Sequence, residues 1–182
     1  RTPAPGGGAV AATVAALAAA LVTMVGRLAD RAGPESGVSQ LIEQGERLRL
    51  GLLDLAEADA VAYGRVISAR RGREAGEEEL RLAWDGAARV PAEVIRAARD
   101  VALLARRAAH AGPPAALGDA VMAALLAAAA AAGSMINLRL NTVAAGHPAQ
   151  LRLLVQDAEL LLRETQRATA DTRMLLEERL RV

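Results

Sequence analysis

Apolar residues return every three to four positions along most of the chain, while the Val-, Ile- and Thr-rich runs that favour strands are absent. The pattern predicts an all-α fold. From Ala9 to Ala29 the segment AVAATVAALAAALVTMVGRLA carries no breaker except Gly26 and no charge before Arg27. Its length fits a bilayer span, but Ala dominates it, the larger apolar residues come only every three to four positions, and no Trp or Tyr belt flanks it. A central core helix is expected rather than a membrane helix. Gly33 and Pro34 then mark a turn, and from about Gly37 to Arg71 a helical alternation predicts a rod on the order of 50 Å long.

The inner stripe of that second helix is Leu41, Gly45, Leu48, Leu52, Leu55, Asp59, Ala62 and Val66, at steps of four and three. One member is a carboxylate. After a charged loop around RRGREAGEEE, a helix through LRLAWDGAARV is expected to stop at Pro91, which can open the next helix, AEVIRAARDVALLARRAAHA. Gly112, Pro113 and Pro114 end it. A second Ala-rich helix follows from Ala115 to Leu140. Gly146 and Pro148 separate a last amphipathic helix from about Ala149 to Leu180, with Leu151, Leu154, Leu161, Leu162, Met174, Leu175 and Leu176 facing the core. The expectation is one domain over residues 1–182: an antiparallel bundle of about six helices, two of them Ala-rich core helices and two long and amphipathic.

Composition narrows the chemistry. Lys+Arg 22 against Asp+Glu 21 leaves a net charge of +1, too little surplus for a nucleic-acid binder. Cys 0 removes disulfides, thiolate zinc sites and thiol nucleophiles. Every basic residue is Arg, so a lysine Schiff base and a phosphate loop with its Lys are missing. His110 and His147 lack metal-like spacing and read as surface residues, so no metal is expected. No secretory pattern opens the chain, and Arg1 in place of Met implies sequence before it; the reading is a cytoplasmic protein without membrane or nucleic-acid partners.

Four candidates for chemistry remain. An ionised Asp59 on an apolar seam loses hydration, and burial would raise its pKa toward the range useful to a general acid or base. The alternative is a bundle-edge Asp, or one paired with Arg96 or Arg99; Asp54 and Glu57 fall off the stripe and read as solvated. Pro5, Gly6, Gly7 and Gly8 run directly into a helix and offer backbone N–H groups to an anionic or planar ligand, or else form a loose terminus or tight cap. Asp119 follows Gly118 where the second Ala-rich helix begins, and capping is its default role. Asn137 and Asn141 stand one turn apart in an apolar helix, so their amides pair with backbone or with a substrate.

Taken together, PAPGGGAVAATVAALAAALVTMVGRL, EADAVAYGRV and ALGDAVMAALLAAAAAAGSMINLRLN resemble the three signature blocks of the formiminotransferase-cyclodeaminase C-terminal family, in order and over nearly the whole chain. The glycine triplet is the most specific part. The resemblance implies an all-helical homodimer acting on one-carbon-substituted tetrahydrofolate, with no cofactor beyond that folate-type substrate. It carries the family's proposed catalytic acid or base onto Asp59, with Tyr63 where Phe is usual. It carries the Ser-Asp step onto Gly118 and Asp119, and the NVxIN segment onto Asn137 through Asn141. Gly6, Gly7, Gly8, Tyr63, Asp119, Asn137 and Asn141 are thereby the expected substrate-binding residues. The chain departs from the family where Gly72, Arg73 and Glu74 replace a Leu-Pro-Lys tripeptide and where PPAALG leads into Asp119.

Two reactions fit. In cyclodeamination of 5-formimidoyltetrahydrofolate, Asp59 would protonate the leaving ammonia; in hydrolysis of 5,10-methenyltetrahydrofolate, an ionised Asp59 would orient water and offset the cationic carbon. The competing readings are a relative that has lost folate activity and binds a small ligand or a partner, and an enzyme for another amidine or imine substrate.

Overall fold

The structure, a computed structural model, describes residues 6–32, 37–71 and 76–181. The expected turn at Gly33 and Pro34, the Gly72–Glu74 departure, and Pro5 lie outside the described residues. Helix α1 spans Gly7–Ala32, α2 Val38–Arg71, α3 Glu77–Ala111, α4 Leu117–Ala144 and α5 Ala149–Leu180, with a single 3-10 turn at Pro114–Ala116 before α4. No strand occurs among the described residues.

Among the described residues the helix count is therefore five, not six. Pro91 lies inside α3 and does not divide it. A helix breaks at proline when the lost bond and the ring leave nothing in compensation. Here the buried stripe Trp84, Ala87, Ala88, Pro91, Ala92, Val94 and Ile95 continues across the proline. The carbonyl of Ala87, which would have accepted the missing N–H, takes the Asn141 side-chain Nδ2 of α4 instead, at 2.8 Å.

Close approaches fix how the helices run. Gly26 lies against Leu41 and Ile42, Gly45 against Thr23, and Gly8 against Asp59, so α1 and α2 are antiparallel neighbours in one register. Gly7 meets Asn137 and Gly133 meets Ala11, which sets α4 antiparallel to α1. Helix α5 lies alongside α3 in the same direction, held in part by Arg99 to Glu164 and Arg106 to Asp171.

Both α1 and α4 are long and apolar enough to cross a membrane by length and composition. In α1 a core position explains that apolarity: Ala12, Ala15, Ala16, Ala18, Ala19, Val22 and Val25 are buried, and their small size lets the neighbouring helices close in. Along α2 the eight stripe positions are all buried or half-buried. On α5 the leucine expectation holds for Leu151, which is buried, and for Leu154, Leu161, Leu162, Leu175 and Leu176, which are half-buried against the core, but Met174 is 59% exposed. Between those leucines the buried positions are Ala158, Thr165, Ala168, Thr169 and Thr172. Each of these hydroxyls is satisfied by a carbonyl one turn back, Thr165 on Leu161 at 2.7 Å and Thr172 on Ala168 at 2.7 Å. Short, self-satisfied side chains let α5 sit close to α3 and α4.

At the end of α4, Gly146 and His147 both adopt positive φ, 81° and 55°. The His147 N–H donates to Thr142 O and the Gly146 N–H to Val143 O, a closure that satisfies the last carbonyls of the helix. His147 and His110 are exposed.

Candidate functional site

Four helices converge on a cleft of about 290 Å³ lined by Gly6, Gly7, Gly8, Asp59, Ala60, Tyr63, Ala87, Asn137 and Asn141. Helix α1 contributes its first turn, α2 contributes Asp59 and Tyr63 one turn apart, and α4 contributes Asn137 and Asn141 one turn apart. Every expected site residue except Asp119 is on this wall.

Asp59 is half-buried at the N-terminus of α1, where its Oδ2 accepts the Ala9 N–H at 2.9 Å. The first turn of α1 holds no acidic residue of its own, so a carboxylate from α2 supplies the cap and faces the positive end of the helix dipole. Val10 N–H bonds Gly6 O, and the N–H groups of Gly7 and Gly8 have no acceptor inside α1. The Ala9 N–H therefore holds the carboxylate at a helix start whose Gly7 and Gly8 N–H groups are unpaired within the helix. Gly8 makes the approach possible: a Cβ there would stand 2.5 Å from Asp59 Cγ and 2.7 Å from Oδ2, and closer still to Oδ1. This is the physical content of the glycine run.

Desolvation pushes the Asp59 carboxyl above its ordinary pKa, and the Ala9 hydrogen bond opposes that shift without cancelling it. The two arginines that might have neutralised it are engaged elsewhere, Arg96 with Glu93 at 2.6 Å and Arg99 with Asp100 at 3.0 Å. Oδ1 accepts no hydrogen bond from any described residue, which leaves it for a ligand or water. A carboxyl with a raised pKa and one free oxygen in a cleft can donate or take a proton.

Tyr63 is 39% exposed and meets Trp84 edge-on, with ring centroids 6.4 Å apart. Arg70 lies over the ring of the same indole, 5.1 Å from its centroid. Tyr63 is thus steadied from behind and offers the cleft an aromatic surface. Asn141 is fixed by the Ala87 carbonyl. Asn137 borders Gly7 and donates to no described residue.

Asp119 does not join the group. It sits in the first turn of α4, roughly 27 Å from Asn137 at the helical rise of about 1.5 Å per residue. It also makes no side-chain cap hydrogen bond there, so its contribution to that helix end is electrostatic. The sequence reading missed Ala87, whose backbone oxygen is what matters. The available signal was Pro91, four residues on.

Among the described residues no cluster of three or more His, Asp or Glu is arranged to hold a metal ion. A larger groove of about 780 Å³ between α2 and α3 is lined by Leu48, Leu52, Leu55 and Leu104 with a rim of paired charges.

Fold and cleft define an all-helical protein with one half-buried carboxyl at a helix start, flanked by two amides and an aromatic ring. The chain belongs to the formiminotransferase-cyclodeaminase family, whose model matches residues 1–156. It is also similar to the crystal structure of a formiminotetrahydrofolate cyclodeaminase from Thermotoga maritima, with a TM-score of 0.87 and 29% identity, over 99% of this chain and 91% of that one. No curated protein sequence matches it.

Proposed function

We propose that the cleft binds a one-carbon-substituted tetrahydrofolate and that Asp59 is the catalytic acid in cyclodeamination of its 5-formimidoyl form. The observation that carries the reading is the Asp59 carboxyl itself, tied to Ala9 through one oxygen, raised in pKa by burial and free at the other oxygen. The likeness to a formiminotetrahydrofolate cyclodeaminase supports the choice of substrate. In the reaction the second folate nitrogen attacks the formimidoyl carbon and forms the ring C–N bond. The C=N π pair moves onto the exocyclic nitrogen, and the proton that the attacking nitrogen loses passes to that nitrogen to make it an amino group. The exocyclic C–N bond then breaks, its electron pair stays on nitrogen, and Asp59 supplies the proton with which ammonia departs. The N–H groups of Gly7 and Gly8 polarise the same end of the cleft, Tyr63 gives the ring system a surface, and Asn137 and Asn141 orient its polar edge.

The working unit on this reading is a cytoplasmic homodimer comprising one domain per chain. Val10, Leu17 and Met24 recur at seven-residue steps on the outer side of α1, and Met122, Leu125, Ile136, Leu140 and Val143 lie exposed on adjacent α4. An uncharged apolar face of this extent, reaching the cleft at Asn137, suits a second copy of the chain.

Asp59→Asn keeps the shape and the Ala9 hydrogen bond but removes the proton, so turnover should fall by about 10²–10⁴-fold with folding unchanged. The assay follows methenyl absorbance, appearing from 5-formimidoyltetrahydrofolate or disappearing on hydrolysis. Appearance in the wild type supports deamination, disappearance alone assigns hydrolysis, and calorimetric binding of 5-formyltetrahydrofolate without turnover makes the chain a binding module. Near wild-type rates in the variant would remove Asp59 from the chemistry.

A further inference from the structure

Inside a helix, the N–H of residue 91 would donate to the carbonyl of Ala87, but Pro91 has no N–H to give. Ala87 is 4% exposed, so its carbonyl cannot turn to water instead. Asn141 Nδ2 fills the place at 2.8 Å, reaching across from α4. A carbonyl accepts only from a donor, so the side-chain amide cannot rotate to exchange its nitrogen and oxygen: that would set two acceptors against each other. Oδ1 is thereby the end left over. It receives no hydrogen bond from any described residue, is not sealed in the interior, and belongs to a side chain on the cleft wall.

We propose that Pro91 is a positioning residue: the hydrogen bond it deletes from α3 locks the Asn141 amide in one orientation, so that the cleft presents a fixed acceptor at that point. The ligand chemistry this selects is an N–H donor, such as the amino-substituted edge of a nitrogen heterocycle. The assignment of that edge to a pterin rests on the folate reading above; the locked amide does not. Proline in the middle of a long helix is costly to helix formation, and a use for the freed carbonyl accounts for its presence on a wall of the cleft.

The test is Pro91→Ala in the full chain. Alanine restores the N–H to Ala87 and releases Asn141, so the melting temperature should not fall. Hydrogen exchange of the Asn141 side-chain NH₂, followed by NMR on ¹⁵N-labelled protein without any ligand, should accelerate by about ten-fold or more. With 5-formimidoyltetrahydrofolate as substrate, KM should rise about ten-fold, equivalent to one hydrogen bond, while kcat holds, because orientation of a binding edge is lost and the proton donor is untouched. In an Asn141→Ala background the same Pro91→Ala change should leave KM where Asn141→Ala alone put it. Unchanged exchange of the amide overturns the proposal even if the chain proves not to act on folates. So does a KM increase of equal size with and without Asn141, which would make Pro91 a packing residue only.

Discussion

Burial raises the pKa of Asp59, the Ala9 N–H lowers it, and burial prevails. The folded chain therefore holds this proton more tightly than the unfolded chain, whose carboxyl titrates near the ordinary 3.8. Between the two values folding takes up proton, so this group's contribution to stability falls as pH rises through that window and is flat above it. Glu46 and Glu78, each lowered by a hydrogen-bonded arginine, act in the opposite sense, so the isolating measurement is a difference. Urea midpoints across about pH 3 to 7 should show the Asp59→Asn variant gaining on the wild type as pH rises above the ordinary carboxylate value. Parallel curves would mean the carboxyl is not perturbed. Asp59 was legible beforehand because a charge on an apolar seam contradicts its own pattern. That Asp119 lies far along α4 from Asn137 was not legible, because a helix start near a signature block says nothing of where that start lies in space. Ala87 was missed because a backbone oxygen leaves no mark on the residue that carries it, only on Pro91 four residues further on.

Among the elements, periodicity located every helix, and punctuation failed once, at Pro91. A proline is a stop signal only if its neighbours let it be one, and the continuous buried stripe of α3 with an amide from α4 does not. The inner face of α5 was read as leucine, and those leucines do pack on the core, but its most deeply buried positions also include threonine and alanine, since a hydroxyl that returns its hydrogen bond to its own helix behaves as a small apolar group. Contact between α1 and α2 depends on an absent side chain: a Cβ at Gly45 would lie 2.5 Å from Thr23 Oγ1, which itself bonds Ala19 O at 3.0 Å. Gly45→Ala should therefore cost about 1–3 kcal/mol in urea unfolding as the helices are pushed apart. Adding Thr23→Ala should recover most of that loss; a double variant no more stable than Gly45→Ala would show that the strain lies elsewhere.

For the whole molecule, the three signature blocks fall on α1, the second half of α2 and most of α4, and antiparallel packing brings the start of α1, Asp59 and Tyr63 of α2, and the last turns of α4 together. Order along the chain was legible; which face lies open was not, because Ile136 at 61% exposure and Leu17 at 58% have the composition of core residues. Charging that face with Leu17→Glu and Ile136→Glu should convert the expected dimer to a monomer in light scattering while helical circular dichroism persists. A wild type that already scatters as a monomer would refute the dimer. A last consequence follows from Trp84. It is the chain's one indole, almost wholly enclosed and touched by the ring of Tyr63 that forms the cleft wall. The fold thus carries a built-in fluorophore one residue removed from whatever occupies the cleft. Occupancy that shifts Tyr63 alters native emission, so affinity can be read optically without attaching a dye.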